Sequence, residues 1–387
     1  MGQARHVLVN ALSVGGGGGV TVARELSNHL AMQRPDWQIT IALNPQNPMH
    51  QELERGLKAP GVAALKCEGI GGQFARARYE RGPLAEWSLQ NHIGAIVQLN
   101  GTVIPGMPIP TLAHCQNPFP YQPIAWNGWR DRALSALKRR VQARSLPTAA
   151  CVGWTSAYLR DLICSRLSLK PRRDCVFYNG VPDEWLTGAD ANRPALASRP
   201  LEILTVSNVA AYKRQALVIR ALALLVKRAG LESLVYRIVG DVAPAYREEL
   251  SELARSLGVG DRVIIEGRID GALVAQRYQQ ARCFVFMSVC ESFGIPAVEA
   301  MSFGTPVIVA NICALPEVCG NAADLVEPDQ PTALGNSIQR VLTDPDHAGE
   351  LRRRGFENVQ RFKWGQTAAS MAAALDDIAI GLSSQGR

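Results

Sequence analysis

Two glutamates eight residues apart, Glu291 and Glu299, lie in an otherwise apolar stretch, CESFGIPAVEAMSFGTPVIVAN. Burying a carboxylate without a partner is costly, so this placement favours a binding role over surface charge. Pro296 marks the start of a helix and puts Glu299 about one turn inside it. A carboxylate there can accept hydrogen bonds from two neighbouring hydroxyl groups, as ribose recognition requires. The loop between the glutamates suits a phosphate group, because it contains a glycine and precedes a helix N-terminus. Its residues are Ser292, Phe293, Gly294 and Ile295.

A lysine near the start of the second half is a second candidate for phosphate chemistry. Lys213, in VSNVAAYKRQALVIRAL, precedes a predicted helix and follows a predicted strand. An ammonium group at that point can neutralise the charge that develops on a diphosphate leaving group. A solvated basic turn is the alternative interpretation.

A run of five glycines follows the first predicted strand, in VNALSVGGGGGVTVAREL. The run consists of Gly15, Gly16, Gly17, Gly18 and Gly19. Glycine permits close backbone approach, and the helix that follows directs unpaired N–H groups at the loop. A phosphate or an acceptor hydroxyl would fit there, whereas a flexible connection is the alternative.

A polar cluster, His114, Gln116 and Asn117, closes a short apolar run in AHCQNPFPY. At the end of a buried strand these side chains would reach a ligand cleft. A lone histidine at a strand end can also be purely structural.

Alternating strand and helix patterns occur twice along the chain and predict two α/β domains with parallel sheets. Strands are predicted at 6–12, 37–43, 94–100, 110–116 and 148–154, and again at 200–208, 234–241, 261–269, 283–289 and 305–311. The stretch 181–200, rich in Pro, Ala, Asp and Gly, is the predicted linker. We therefore expect two Rossmann-like domains, 1–185 and 200–361, facing each other across a cleft with ligand at the carboxyl ends of the strands.

The composition is that of a soluble globular protein. Of the 387 residues, 47% are hydrophobic and 19% are charged. No stretch approaches the roughly 20 apolar residues of a membrane-spanning helix. The N-terminal segment is interpreted as a buried strand rather than a signal peptide, and the nine cysteines contain no CxxC pair. These features predict a cytoplasmic protein with reduced thiols.

Positive charge is concentrated in the first half of the chain. Residues 1–180 contain 20 Lys and Arg against 10 Asp and Glu, whereas the remainder contains 21 against 24. Nucleic acid, an anionic membrane surface and a phosphorylated acceptor could each account for this excess. No basic-aromatic recognition motif accompanies it, so nucleic acid is not expected as a partner.

A basic helix is predicted within WNGWRDRALSALKRRVQAR, residues 126–144. Its apolar positions, Leu134, Leu137 and Val141, share one helical face. The surrounding basic residues are Lys138, Arg139, Arg140 and Arg144. Basic amphipathic helices preceded by tryptophan suit an anionic membrane surface, so peripheral attachment to the inner face of the cytoplasmic membrane is one interpretation. An ordinary domain helix with a solvated face is the other.

Taken together, these motifs resemble glycosyltransferase family 4, a family of retaining enzymes with the GT-B fold. The similarity is carried by the E-x7-E pair, the glycine loop inside it, VSNVAAYKR upstream and TPVIVANICALPEVCGNAADLVEPDQP downstream. It implies a metal-independent hexosyltransferase that uses a UDP- or GDP-sugar as substrate and needs no cofactor. It further implies a glycan or lipid-linked acceptor, in lipopolysaccharide, O-antigen or exopolysaccharide assembly.

The resemblance also implies a role for each matching residue. Glu299 would hold the ribose, Glu291 would face the donor sugar, and Lys213 would pair with the diphosphate. The backbone of Phe293, Gly294 and Ile295 would contact sugar and phosphate, and the loop of Gly15 to Gly19 would close over the diphosphate. Arg268 would lie where the nucleotide base is held, and His114 would contact the donor sugar. The last helix, 362–387, would pack back on the first domain.

One position departs from the family pattern. Ser207 and Asn208 stand where the family has Gly-Arg, so a second cation for the phosphates is missing from its usual place. This departure leaves a non-catalytic, degenerate nucleotide-sugar-binding protein as an alternative, which the intact glutamate pair opposes. A nucleotide-sugar epimerase of the same architecture is a further alternative, opposed by the small number of suitably placed histidines.

Overall fold

The computed structural model describes residues 5–186 and 195–383, which form two compact units. Unit 1 comprises Met1–Tyr121, Gly128–Gly180 and Trp364–Arg387, and unit 2 comprises Gln122–Asn127 and Val181–Lys363. Residues 187–194 in the middle of the predicted linker and 384–387 at the end of the predicted last helix lie outside the described residues.

Unit 1 is built on a sheet of seven parallel strands. They are β1 (Arg5–Asn10), β2 (Trp37–Leu43), β3 (Val62–Lys66), β4 (Ala95–Gln98), β5 (Thr111–Cys115), β6 (Cys151–Trp154) and β7 (Asp174–Val176). Their order across the sheet is β3-β2-β1-β4-β5-β6-β7, and all neighbours run parallel. The central strands are buried on both faces, as their continuous runs of Val, Ile and Leu predict.

Helices connect the strands of unit 1 and cover the sheet. They are α1 (Gly18–Gln33), α2 (Pro48–Arg55), α3 (Gln73–Arg81), α4 (Pro83–Gln90), α5 (Trp129–Ser145) and α6 (Ala157–Leu167). Apolar residues of α1 at helical spacing, including Ala23, Leu26 and Leu30, pack into the core beside β1 and β2.

Unit 2 repeats the architecture with six parallel strands. They are β8 (Glu202–Val206), β9 (Val235–Val239), β10 (Val263–Gly267), β11 (Cys283–Phe286), β12 (Val307–Ala310) and β13 (Ala323–Val326). Their order is β10-β9-β8-β11-β12-β13, again with parallel neighbours only. The helices are α7 (Asp183–Leu186), α8 (Gln215–Leu225), α9 (Pro244–Ser256), α10 (Gly271–Gln280), α11 (Ile295–Ser302), α12 (Leu315–Cys319), α13 (Pro331–Thr343) and α14 (Pro345–Val359).

The helix that follows unit 2 in the chain belongs to unit 1. This helix, α15 (Trp364–Ser383), contributes Met371, Leu375 and other side chains to the core that α1 and the central strands form. Its Asp376 forms ion pairs with both Arg5 and Arg34. Unit 1 is therefore assembled from both ends of the chain.

The predicted fold class is confirmed, whereas three strands were not predicted. These strands are β3, β7 and β13, and each lies at an edge of its sheet or is only three or four residues long. No helix in 5–186 or 195–383 is both long and apolar enough to cross a membrane.

Candidate active site

The strand order of unit 2 reverses between β8 and β11, and the candidate residues gather at the carboxyl ends of these two strands. In doubly wound sheets the loops after two such strands diverge and leave a crevice for ligand. A backbone hydrogen bond from the amide of Val289 to the carbonyl of Tyr212, 2.9 Å long, ties the two loops together. The loop after β8 supplies Lys213, and the loop after β11 supplies Glu291.

Lys213 and Glu291, 78 residues apart in sequence, form an ion pair between Nζ and Oε1. The two side chains are only 9% and 13% exposed. The lysine Nζ also lies 5.3 Å from the ring centre of Tyr212 and 5.0 Å from that of Phe286, within cation–π range. Burial acts to lower the pKa of Lys213, but the charge of Glu291 outweighs it and leaves that pKa raised. The lysine is therefore a fixed positive charge in a water-poor setting.

Glu299 lies in α11 and is held by a tyrosine that was not among the predicted site residues. The hydroxyl of Tyr278 donates a hydrogen bond of 2.7 Å to Oε2 of Glu299. Tyr278 is fully buried on α10, and burial together with Glu299 raises its pKa well above the usual value. The tyrosine therefore stays protonated and orients the carboxylate. No sequence spacing links the two residues, so this contact could not be predicted.

Gly294 caps the N-terminus of α11 in a left-handed conformation, with φ at +98°. A Cβ atom at this position would lie 2.6 Å from Cδ2 of Leu315, so only glycine fits. Phe293 packs its ring into the core against Phe362, with ring centres 5.2 Å apart. Ser292 precedes these residues and Ile295 begins the helix, so the predicted loop presents backbone rather than large side chains.

Asn208 is exposed at the carboxyl end of β8, where its Nδ2 lies 3.3 Å from the hydroxyl oxygen of Tyr212. The neighbouring Gln215 is fully buried, and its Nε2 lies 3.2 Å from Oγ of Ser207. Its Oε1 has no hydrogen-bond partner among the described residues. Arg214 precedes α8 with φ at +59° and pairs with Asp329 at 3.1 Å. The guanidinium group of Arg214 is therefore engaged by a carboxylate.

Arg268 follows β10 and pairs with Asp241, which follows β9, at 3.4 Å. Both side chains are exposed at the same edge of the sheet as the other candidates of unit 2. Unit 2 thus contains five of the predicted residues together with the loop of Ser292 to Ile295; the five are Asn208, Lys213, Arg268, Glu291 and Glu299. Lys213 and Glu291 are in direct contact, and Glu299 follows in the same helix-loop segment.

The remaining predicted residues belong to unit 1. Gly15, Gly16 and Gly17 form the loop after β1, with φ at +150° for Gly16 and +57° for Gly17. Helix α1 begins at Gly18, so Gly18 and Gly19 are helical and the loop is shorter than predicted. A Cβ atom at Gly15 or Gly17 would have no neighbour within 4 Å, which leaves this loop open on one side.

His114 lies within β5 and not at an exposed strand end. Its side chain is 2% exposed, its ring centre lies 5.9 Å from that of Phe177, and Gly153 leaves room for it on β6. Nδ1 has no hydrogen-bond partner among the described residues. Burial lowers the pKa of His114 to about 4, so the imidazole is neutral at pH 7. It can offer a hydrogen bond but no charge.

The described residues contain no group of three or more His, Cys, Asp or Glu side chains arranged to hold a metal ion.

The fold is shared with solved glycosyltransferases. Sucrose-phosphate synthase from Thermosynechococcus elongatus matches with a TM-score of 0.79 at 21% identity, over 97% of this chain and 100% of that one. HepE from Anabaena, solved in complex with UDP and glucose, matches with a TM-score of 0.74 at 18% identity, over 96% of this chain and 99% of that one. At these identities the similarity establishes the fold: two Rossmann-like α/β domains of the GT-B class.

Sequence similarity centres on unit 2. Residues 189–360 match the family of glycosyl transferases group 1. D-inositol 3-phosphate glycosyltransferase from Thermobifida fusca is 31% identical over 192 residues, which cover 48% of this chain and 44% of the relative. O-antigen chain mannosyltransferase B from Escherichia coli is 38% identical over 87 residues, which cover 22% of this chain and 23% of the relative. The chain therefore matches less than half the length of these relatives. Together the comparisons show the GT-B fold over the whole chain and sequence similarity to glycosyl transferases group 1 within 189–360.

Proposed function

We propose that this protein is a retaining glycosyltransferase that transfers a hexose from a UDP- or GDP-sugar to a glycan or lipid-linked acceptor. The observation that carries the proposal is the buried pair of Lys213 and Glu291 at the strand-order reversal of unit 2. A lysine held in place by a carboxylate suits a reaction in which negative charge develops on a leaving diphosphate. Glu299, oriented by Tyr278, is proposed to bind the ribose hydroxyls.

In the proposed reaction, the bond between the anomeric carbon and the diphosphate oxygen breaks. Lys213 and the positive dipole end of α11 at its N-terminus meet the resulting charge. The acceptor oxygen attacks from the face that the diphosphate leaves, and its proton passes to a phosphate oxygen of the leaving group. Because the ammonium group supplies the positive charge, we propose that the reaction needs no metal ion. Asn208 and Arg268 are proposed to contact the donor.

The relatives support a nucleotide-sugar donor and suggest the class of acceptor. HepE was solved with UDP and with UDP-glucose. Among sequence relatives, one is named as an O-antigen chain mannosyltransferase and several as D-inositol 3-phosphate glycosyltransferases. We propose a role in assembling a bacterial surface glycan, such as lipopolysaccharide or exopolysaccharide.

The donor is expected to raise the midpoint of thermal unfolding, because it binds the folded state and not the unfolded chain. At a concentration of 100 times the dissociation constant, a single site gains about 2.7 kcal/mol. UDP-, GDP- and dTDP-sugars are compared in EDTA and in Mg²⁺, with slow donor hydrolysis as the second readout. We expect one nucleotide to give a shift and hydrolysis that EDTA leaves unchanged. Uridine and guanosine, which lack the diphosphate, are the controls. No shift with any donor would contradict the proposal.

We further propose that α5 attaches the protein to the inner face of the cytoplasmic membrane. The buried side of this helix is formed by Ser135 and Gln142, whereas its apolar side faces outward. Leu134, Leu137 and Val141 are 51%, 50% and 47% exposed. Exposed leucine and valine beside basic residues are typical of helices that lie in an anionic lipid interface.

Neutralising the exposed basic residues of α5 is expected to weaken binding to anionic vesicles. Three substitutions, Lys138→Gln, Arg140→Gln and Arg144→Gln, together remove about 3 kcal/mol, at about 1 kcal/mol per basic residue near the surface. Arg139 is left in place because it donates a hydrogen bond to the carbonyl of Pro120. The control combines Arg166→Gln, Lys170→Gln and Arg172→Gln, which remove equal charge from exposed positions of unit 1. Sedimentation with anionic vesicles measures the binding of both triple variants. An equal loss of binding in the two variants would contradict a membrane-binding role for α5.

A further inference from the structure

A cavity of about 390 Å³ lies on unit 1 beside α3, and none of its lining residues belongs to the proposed donor site. It is lined by Gly69, Phe74, Ala75, Arg78, Tyr79 and Pro83. Its volume is in the range of small-molecule sites, about 300 to 1,000 Å³. Gly69 lines it with φ at +75° and has no atom within 4 Å of the place where a Cβ would stand, so this wall is open.

Two of the exposed residues that line the cavity, Phe74 and Arg78, have side chains without partners among the described residues. Phe74 is 88% exposed and makes no ring contact, which is unusual for a phenylalanine of a soluble domain. The guanidinium group of Arg78 makes no ion pair or side-chain hydrogen bond there, and the same holds for Arg81 one turn further on. By contrast, Arg76 on the same helix lies 3.7 Å from Glu80. An unpaired guanidinium beside an exposed ring can therefore engage a ligand.

A buried polar network fixes the helix that carries these groups. Glu80, on the inner side of α3, accepts a hydrogen bond of 2.9 Å from Nδ2 of Asn10. The same Nδ2 lies 3.0 Å from Oε1 of Gln98. Asn10 ends β1 and Gln98 ends β4, the two strands between which the strand order of unit 1 reverses. The helix is thus tied to the place in this sheet where ligands are expected.

We propose that this cavity binds a phosphate group joined to an apolar or ring-shaped portion of the acceptor. The guanidinium of Arg78 matches a phosphate with parallel hydrogen bonds, and Arg81 adds positive charge. Phe74 offers its ring to the portion that carries the phosphate. The proposal deepens the proposed function, on which it rests, by assigning the class of acceptor to a phosphorylated compound. It also explains part of the excess of Lys and Arg in residues 1–180.

Phenyl phosphate is a suitable probe because it joins a phosphate to an apolar ring, and phenyl glucoside is its uncharged counterpart. We expect phenyl phosphate to bind the full chain and phenyl glucoside to bind much more weakly in an NMR titration. Arg78→Gln is expected to weaken phenyl phosphate about tenfold, the equivalent of one charge-assisted hydrogen bond. Phe74→Ala is expected to weaken it by a smaller factor. Arg166→Gln removes one exposed charge from α6 and serves as the matched control.

Equal affinity of Arg78→Gln and the unaltered protein would overturn the proposal, as would an equal loss in Arg166→Gln. Vesicles of phosphatidylcholine, with and without phosphatidylglycerol, distinguish a lipid headgroup from a soluble phosphate ester. If Arg78→Gln weakens binding both to phenyl phosphate and to vesicles with phosphatidylglycerol, the phosphate that the cavity binds belongs to a lipid. If the substitution weakens binding to phenyl phosphate alone, that phosphate belongs to a soluble ester. Donor binding is measured on the same variants. Absence of donor binding in every variant and in the unaltered protein would count against the proposed function. Loss of phenyl phosphate binding with donor binding retained reports on this cavity alone.

Discussion

Replacing Lys213 with methionine is expected to reduce sugar transfer about a hundredfold to a thousandfold, as loss of one preorganised charge does in other active sites. The same change leaves Glu291 largely buried without its partner. Breaking a buried ion pair from one side costs about 3 kcal/mol or more in the free energy of unfolding. Steady-state transfer and urea denaturation therefore both report on this substitution.

A double variant separates the two effects. Lys213→Met combined with Glu291→Leu replaces the pair by apolar side chains of similar volume, which is often neutral for stability. We expect it to regain the free energy of unfolding while transfer stays low. Lys227→Met makes the same lysine substitution at an exposed position of unit 2 and should change neither quantity. Normal turnover in Lys213→Met would remove the lysine from the reaction, whatever its effect on stability.

Replacing Gly240 with alanine is expected to destabilise unit 2 by about 3 kcal/mol or more, since it combines backbone strain with overpacking. Gly240 directly follows β9 with φ at +142°, and a Cβ there would overlap the carbonyl oxygen of Ser207. Its amide also donates to the carbonyl of Gly267, 2.8 Å away. A side chain would therefore push apart the chain segments that present Asn208 and Arg268, and we expect donor binding to weaken as well.

Gly230→Ala is the matched control for this effect. Gly230 also has positive φ, +81°, but a Cβ there would have no neighbour within 4 Å. It should show the cost of backbone strain alone, about 1 kcal/mol. Urea denaturation compares the two variants. If Gly240→Ala were no less stable than Gly230→Ala, the close approach to Ser207 would not constrain this position.

Most strands that sequence patterns predicted lie inside their sheets, and β10, at one edge, is the exception. β1, β8 and β11 are apolar runs buried on both faces, so their signal is strong. The strands that were missed, β3, β7 and β13, are short or lie at sheet edges, where one side contacts solvent and alternation is weak. In β3 only Val62 and Leu65 are even partly buried, so VAALK carries little signal.

The candidate site was partly accessible from sequence because its parts are local motifs. The spacing of Glu291 and Glu299 and the glycine between them could be seen in one segment. The contact between Lys213 and Glu291 could not, because it depends on β8 and β11 being neighbours in the sheet. For His114 the local sequence was a poor guide to exposure. Its polar neighbours suggested a strand end that reaches a ligand cleft, whereas its side chain is buried within β5.

The membership of α15 in unit 1 has a consequence for the order in which the chain folds on the ribosome. Unit 1 has most of its sequence by Gly180, but Met371 and Leu375 of its core come after all of unit 2. At about 5 to 20 residues per second, synthesis of the intervening segment takes on the order of ten seconds or more. During that time the surface that α15 will cover, beside α1, lacks its partner. Unit 2, nearly continuous in sequence, can fold before α15 is synthesised, and α15 then completes the core of unit 1.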